Sequence, residues 1–418
     1  MLPRYNCVYA LLVLSSMEAN SAFTMPSPPA YALRSPCTTT ELKAKLDPSF
    51  DLSKIEIDKK TPEEELFFEH TRALCVERNL PLDNIKNARD LSSPCNSPIL
   101  PGRLYRMGRL SDASDNDINM LLDSIQVKTI VDLRSPTELK DDETLLREQV
   151  FGNFTNIMWT ERSNSKEGCL REIPDGEPII QTRGQRMFSP RAVFEDGVED
   201  CDACDEHTVP ANERSRVRNR KERYFVSLMN EFKYVRGTLG KVRKRDIATT
   251  IMKSPGALVS RRVRANVKKP FLDRINDGGL PMLNELLLRY GGPGIKYVLE
   301  LCADRSRHPV VFHCTAGKDR TGMITCLILS LLGVDDQDIV EDYSLSANVY
   351  AEMNDHKAMV GALSQRSLDP KKFLVAPPQV MVDTLASIRR EYGSIEDYLT
   401  WIGFGPEKQE QLKKALLE

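Results

Sequence analysis

Hydrophobic and polar positions change their period several times along this chain, and each change marks an element. Val127 to Leu133, VKTIVDL, is a short, mostly apolar run rich in β-branched residues, which predicts a strand buried on both faces. Just before it, Ile118, Leu121, Leu122 and Ile125 fall on one helical face, and Ser114 is placed to cap that helix. Gly102 to Leu110 predicts an earlier strand with a turn after it. Strand, helix and strand at this spacing form a βαβ unit and call for a parallel sheet. Asn156 to Trp159 offers another strand. A further apolar run, Pro309 to Phe312, ends in His313-Cys314. After a short loop, MITCLILSLLG is apolar nearly all round, the pattern of a buried central helix that Gly333 stops.

Other segments carry helical spacing. Pro62 opens one helix through Leu66, Ala73 and Leu74. Within YFVSLMNEFKYV, Tyr224, Leu228, Phe232 and Val235 share a helical face. Helices are predicted at Leu280–Tyr290 and Gly294–Cys302, then after a cap at Asp335 or Asp336. Met381, Leu385, Ile388 and Tyr392 line one more, and Ser394 to Asp397 forms a capping box ahead of another. From Thr160 to about Asn219 the pattern dissolves. The fold class expected is α/β, a short, mostly parallel sheet flanked by helices. The expected division is a presequence at 1–40, an extension at 41–97, a catalytic domain at 98–404 and a helix at 405–418. An acidic loop at 164–219 and a helical insert at 220–302 fall within the catalytic domain.

Charge alters this picture only locally. The 58 Lys and Arg nearly balance 60 Asp and Glu, so overall charge selects no partner. Arg214 to Lys269 is strongly basic, which fits either a solvated helical face or an anionic membrane surface. No aromatics alternate with those cations, so nucleic acid is not expected. Glu195 to Glu206 is acidic and holds Cys201 and Cys204, with His207 close by. One CxxC with one His is half a zinc site, and a solvated acidic loop is the plainer reading. No metal and no cofactor are expected. The ten cysteines show no regular disulfide spacing.

The candidate chemistry lies in VVFHCTAGKDRTG, Val310 to Gly322. Cys314 ends a strand, and Thr315, Ala316, Gly317, Lys318, Asp319 and Arg320 turn into a helix N-terminus. Successive amides in such a turn make an anion-binding nest. The nest favours the nucleophilic thiolate of Cys314. Arg320 adds a planar fork for two phosphate oxygens, and Gly317 lets the backbone approach a ligand. A nucleotide P-loop is excluded, because Asp319 rather than Ser or Thr follows Lys318.

HCTAGKDRTG matches the HC-x5-R-[ST] signature of the cysteine-dependent phosphatases. Its Lys-Asp pair resembles a subfamily of bacterial and fungal tyrosine and lipid phosphatases. RLYRMGRLS, TIVDLRSPTE and YGSIEDYLTWIGF resemble further parts of that subfamily, so the likeness runs from about Leu100 to Phe404 with a gap near 164–219. It implies hydrolysis of phosphomonoesters through a phosphocysteine at Cys314. Arg320 and the amides of Thr315 to Lys318 would bind the phosphoryl group, and Thr321 would donate to the departing sulfur. The acid would be Asp319, as the resemblance implies, with Asp132 at the end of the DLR strand as the alternative. Phosphotyrosine proteins are the expected substrates. Phosphoinositides are a further class, since Lys318 and the basic insert add cations. A catalytically silent phosphate-binding scaffold is the rival.

The first 40 residues read as an address. An apolar run, CVYALLVL, precedes a Ser-Ala-Phe junction and an acid-poor stretch. This resembles the bipartite plastid presequence of diatoms and related algae; an ordinary signal peptide or a disordered leader is the other reading.

Overall fold

The computed structural model describes residues 62–140, 153–161, 167–173, 220–228, 231–242, 245, 261–349 and 369–418. The expected presequence, the expected acidic loop with Cys201 and Cys204, and most of the basic segment ahead of residue 261 lie outside them.

In chain order the described elements begin with helix α1, Pro62–Arg78, and strands β1, Arg89–Asp90, and β2, Leu104–Met107. Helix α2, Asp115–Asn119, follows, widening into a π turn over Met120–Ser124. Ser114 caps α2 through a capping box with Asp117. Strand β3 is Thr129–Asp132 and helix α3 Pro136–Lys140. Strands β4, Phe154–Glu161, β5, Gly168–Ile173, and β6, Lys221–Val226, complete this half. Helices α4, Glu231–Lys241, α5, Arg261–Tyr290, and α6, Gly292–Cys302, lead to β7, Val310–His313. Helix α5 is kinked at Gly279, whose φ is +50°, just before Pro281. After β7 come α7, Asp319–Leu331, α8, Asp336–Ser344, α9, Pro370–Phe373, α10, Pro378–Tyr392, α11, Ile395–Trp401, and α12, Pro406–Leu417.

The strands form one sheet in the order β1-β2-β7-β3-β6-β4-β5. Its interior pairs are parallel and its two edge pairs, β1 with β2 and β4 with β5, are antiparallel. Along β2, β3, β6 and β7 nearly every position is buried, so both faces of the sheet's centre are covered. On β7, Val310 and Phe312 enter the main core against α6, α7 and α10, while Val311 faces a second core with Leu121 and Met107. The expected α/β class therefore holds. β7 sits inside the sheet, so its carboxyl end delivers Cys314 into a crevice between neighbouring strand ends, where such sheets bind ligands.

Several expectations need correction. Tyr224 and its neighbours form strand β6, not a helix, so 220–302 is not purely a helical insert. β6 pairs with β3 on one side and β4 on the other. Tyr224 and Val226 enter the main core and Phe225 the opposite side, a use of all three residues that a helix face does not offer. Strand β5 lies where the pattern dissolved. Organised structure begins well before Pro98, since Ile85, Ala88 and Leu91 are buried core residues. At the other end, α12 is no appendage: Leu412 and Leu416 are fully buried in the main core. Asp335 starts α8 by its backbone conformation, without a side-chain cap.

Candidate active site

The loop from Cys314 to Arg320 is shaped by what its carbonyls touch. The Cys314 carbonyl lies 3.3 Å from Nδ1 of His313. The Thr315 carbonyl accepts from the Arg109 amide at 3.0 Å. Asn87 Nδ2 donates to the carbonyls of Ala316, at 3.2 Å, and Gly317, at 2.8 Å. Arg106 Nη2 also donates to the Gly317 carbonyl, at 2.7 Å. In a trans peptide the carbonyl and the following N–H point opposite ways. Carbonyls held from behind therefore turn the amides of Thr315 through Lys318 toward the other side, where the sequence predicts the anion nest. Gly317 is essential to this path: its φ is +66°, and a Cβ there would lie 2.4 Å from the Met107 carbonyl oxygen.

Behind the loop is a buried charge cluster. Asp342 on α8 binds Arg89 at 2.6 Å and also pairs with Arg106. All three side chains are sealed from solvent. Burial and the nearby Arg89 push the Arg106 pKa down to about 10, against the pull of Asp342. The charge nonetheless persists at neutral pH. Asn87, at φ +58°, completes the group by accepting from Arg89.

Arg320 opens α7 beside Asp319, and its two terminal nitrogens each lie 2.6 Å from an oxygen of Glu138 on α3. This is a fork-to-fork pair. Thr315 Oγ1 donates to the same carboxylate at 2.6 Å, and the Ser135 amide at 2.9 Å. Burial raises the Glu138 pKa, but Arg320 more than offsets this and holds it at about 2. Reciprocally, Glu138 overcomes the burial of Arg320 and keeps its pKa above the usual range. Cys314 is buried at the loop entrance, with 3% of its surface exposed.

With this geometry in view, comparison with known proteins decides the family. The sequence model of the tyrosine phosphatase family matches residues 80–194 and 239–418. This chain belongs to that family. It is 35% identical over 136 residues to a tyrosine-protein phosphatase of Nostoc commune, covering 31% of this chain and 46% of the relative. It is also 29% identical over 127 residues to the triple specificity protein phosphatase PtpB of Mycobacterium tuberculosis, covering 26% and 44%. The chain thus spans less than half the length of either relative.

Asp319 begins α7 and its Oδ1 accepts from the Tyr343 hydroxyl at 3.0 Å. Thr321 is fully buried, and its hydroxyl has no hydrogen-bond partner among the described residues. Lys318 is also brought to the loop, but its Nζ turns away to the carbonyls of Phe373 and Val375, each at 2.7 Å. Its amide remains part of the nest, while its side chain braces the segment between α9 and α10.

Asp132 does not suit the alternative acid role. It is sealed from solvent at the end of β3, paired with Arg134 at 2.7 Å and lying 3.6 Å from both Arg223 and His313. Burial alone would raise its pKa, but His313, Arg134 and Arg223 hold it far below the carboxylate range. An enclosed, permanently ionised carboxylate has no proton to give. His313, fully buried, has its pKa pushed down to about 4 by burial, against Asp132, so the ring is neutral at pH 7.

Sequence reasoning missed Asn87, Arg89, Arg106, Glu138, Asp342 and Tyr343. Only Glu138 carried a local signal. Ser135-x-x-Glu138 is a capping box directly after the DLR strand, which places a carboxylate at the carboxyl edge of the sheet. Among the described residues no group of three or more His, Cys, Asp or Glu is placed to hold a metal.

Proposed function

We propose that this chain hydrolyses phosphomonoesters through a phosphocysteine at Cys314, acting on phosphotyrosine in proteins and on phosphoinositides as a second class. The observation that carries this reading is the loop itself, with its carbonyls held from behind and Cys314 at its start. In the first step the Cys314 sulfur attacks phosphorus. The S–P bond forms, the ester P–O bond breaks, and the Asp319 carboxyl gives its proton to the leaving oxygen. In the second step water attacks phosphorus, the S–P bond breaks, and Asp319 takes a proton from that water. The loop amides and Arg320 stabilise the charge on the equatorial oxygens. The Thr321 hydroxyl donates to the sulfur as it leaves. Arg320 already has its fork fixed by Glu138, so little ordering remains when a phosphate arrives.

The wider substrate range is supported by the basic segment around 214–269 and by the likeness to a triple specificity protein phosphatase of Mycobacterium tuberculosis. The orientation of Lys318 lends it no support.

The direct test is Cys314→Ser. Hydrolysis should vanish while phosphate still binds, as read by isothermal titration with inorganic phosphate. A variant that retains most of the wild-type rate would reject the phosphocysteine. Phosphate release from phosphotyrosine peptides and from phosphoinositide vesicles, run side by side, then sets the substrate class. Release from neither, together with vesicle binding by Cys314→Ser, would move the reading to a phosphate-binding scaffold.

A further inference from the structure

We infer that Tyr343 is the positioning residue for the acid–base carboxylate of Asp319; this rests on the acid role proposed above. Tyr343 lies near the end of α8, and 1% of its surface is exposed. Its hydroxyl reaches Asp319 Oδ1 at 3.0 Å. A carboxylate only accepts hydrogen bonds, so the phenol is the donor.

The ring has a prepared seat. Gly322, one turn after Asp319 in α7, would bring a Cβ to 3.0 Å from Tyr343 Cδ2, so the absence of a side chain there lets the ring lie against the helix. The preceding residue, Asp342, anchors Arg89 and Arg106, and Arg106 holds the Gly317 carbonyl. Two consecutive residues of α8 therefore grip the loop at two points. Asp342 fixes the path of its backbone, and Tyr343 fixes its carboxylate.

The hydrogen bond sorts the two oxygens of Asp319. With Oδ1 accepting from Tyr343, Oδ2 is the oxygen that carries the transferable proton. Lys318 Nζ lies 3.6 Å from Oδ2 and is itself held by the Phe373 and Val375 carbonyls. As the proton leaves for the ester oxygen, negative charge builds on the carboxylate. The phenol bond to Oδ1 then becomes charge-assisted and strengthens. An interaction stronger in the transition state than in the ground state raises the rate. Tyr343 acts through Asp319 and touches no reacting atom.

This predicts a leaving-group signature that a purely structural role would not give. Tyr343→Phe keeps the ring in its seat and removes only the hydroxyl. Its kcat/KM should fall about tenfold on a phosphotyrosine peptide, the scale of one hydrogen bond to a charged group. On dinitrophenyl phosphate, whose leaving group needs no proton, it should stay within about twofold. Equal losses on both substrates, or no loss on the peptide, would overturn the assignment. Asp319→Asn is measured in parallel. Selective loss in that variant with an unaffected Tyr343→Phe rejects the role of Tyr343 alone. Absence of selective loss in Asp319→Asn rejects the acid reading beneath it.

Discussion

Glu138 shows how much of this site is decided by a single carboxylate. It closes the capping box of α3 with Ser135, accepts from Thr315 in the loop and holds both terminal nitrogens of Arg320. Glu138→Gln would replace a charged fork by one acceptor and a competing donor. Arg320 would then lose its fixed orientation, and kcat/KM on phosphotyrosine should fall about 10- to 100-fold, the usual consequence of a misplaced binding group. A wild-type rate would show that the loop orders Arg320 unaided. Gly317→Ala is a harsher change, because the new Cβ would meet backbone rather than a flexible side chain. Activity should be lost, with destabilisation of at least about 1 kcal/mol from the strained φ, measured by urea unfolding. At this scale the sequence was informative only where the chemistry is contiguous. Cys314 and Arg320 share one loop with five positions between them, and their residue types restrict the reaction. Glu138 lies 182 residues from Arg320, and Asp342 lies 236 from Arg106. Pairings of that separation leave no periodic trace.

Elements were legible where a single period fitted their residues. Helix α10 presents Met381, Leu385 and Ile388 to the core at clear helical spacing, and it forms as the pattern predicts. Strand β6 was hidden for the opposite reason. It buries both faces, so period two does not stand out, and Tyr224 and Leu228 also satisfy helical spacing. The sheet resolves the ambiguity, because β3 and β4 both need a parallel partner. Helix α12 was underrated because its polar face dominates the composition, although Leu412 and Leu416 are fully buried. Leu412→Ala should cost about 2–5 kcal/mol, the range for emptying a buried leucine site, and should do so without altering kcat/KM at a temperature where the fold persists. A loss below about 0.5 kcal/mol, the surface range, would place α12 outside the cooperative unit.

Across the whole molecule, buried ionisable groups gather around β7 and the loop after it, and their combined titration should govern acid stability. His313 is pushed down from 6.5 to about 4, chiefly by burial. His308 is lowered in the same direction, also by burial, while its Nε2 lies 2.7 Å from the Cys302 carbonyl. As pH falls below about 6.5, the unfolded chain protonates histidines that the folded chain keeps neutral. The unfolded state then binds more protons, so stability declines with falling pH. A second loss follows below the ordinary carboxylate range. There Glu138, held at about 2, Asp132, lowered by His313, Arg134 and Arg223 against its desolvation, and Asp342, lowered by Arg89 and Arg106 against its own, remain ionised only in the folded state. Their contribution is present above about pH 4 and is lost as pH falls through their folded values. Urea midpoints should therefore be level near pH 7 and above. The unfolding free energy should then decline from about 6.5 toward 4 by up to about 1.4 kcal/mol per pH unit for each proton taken up, and decline again below. Replacing both His313 and His308 by Gln should flatten the first decline, and it should weaken the second only by the share of Asp132 that His313 holds ionised. A wild-type protein with constant stability from pH 7 to 5 would mean that neither ring is held neutral in the folded state.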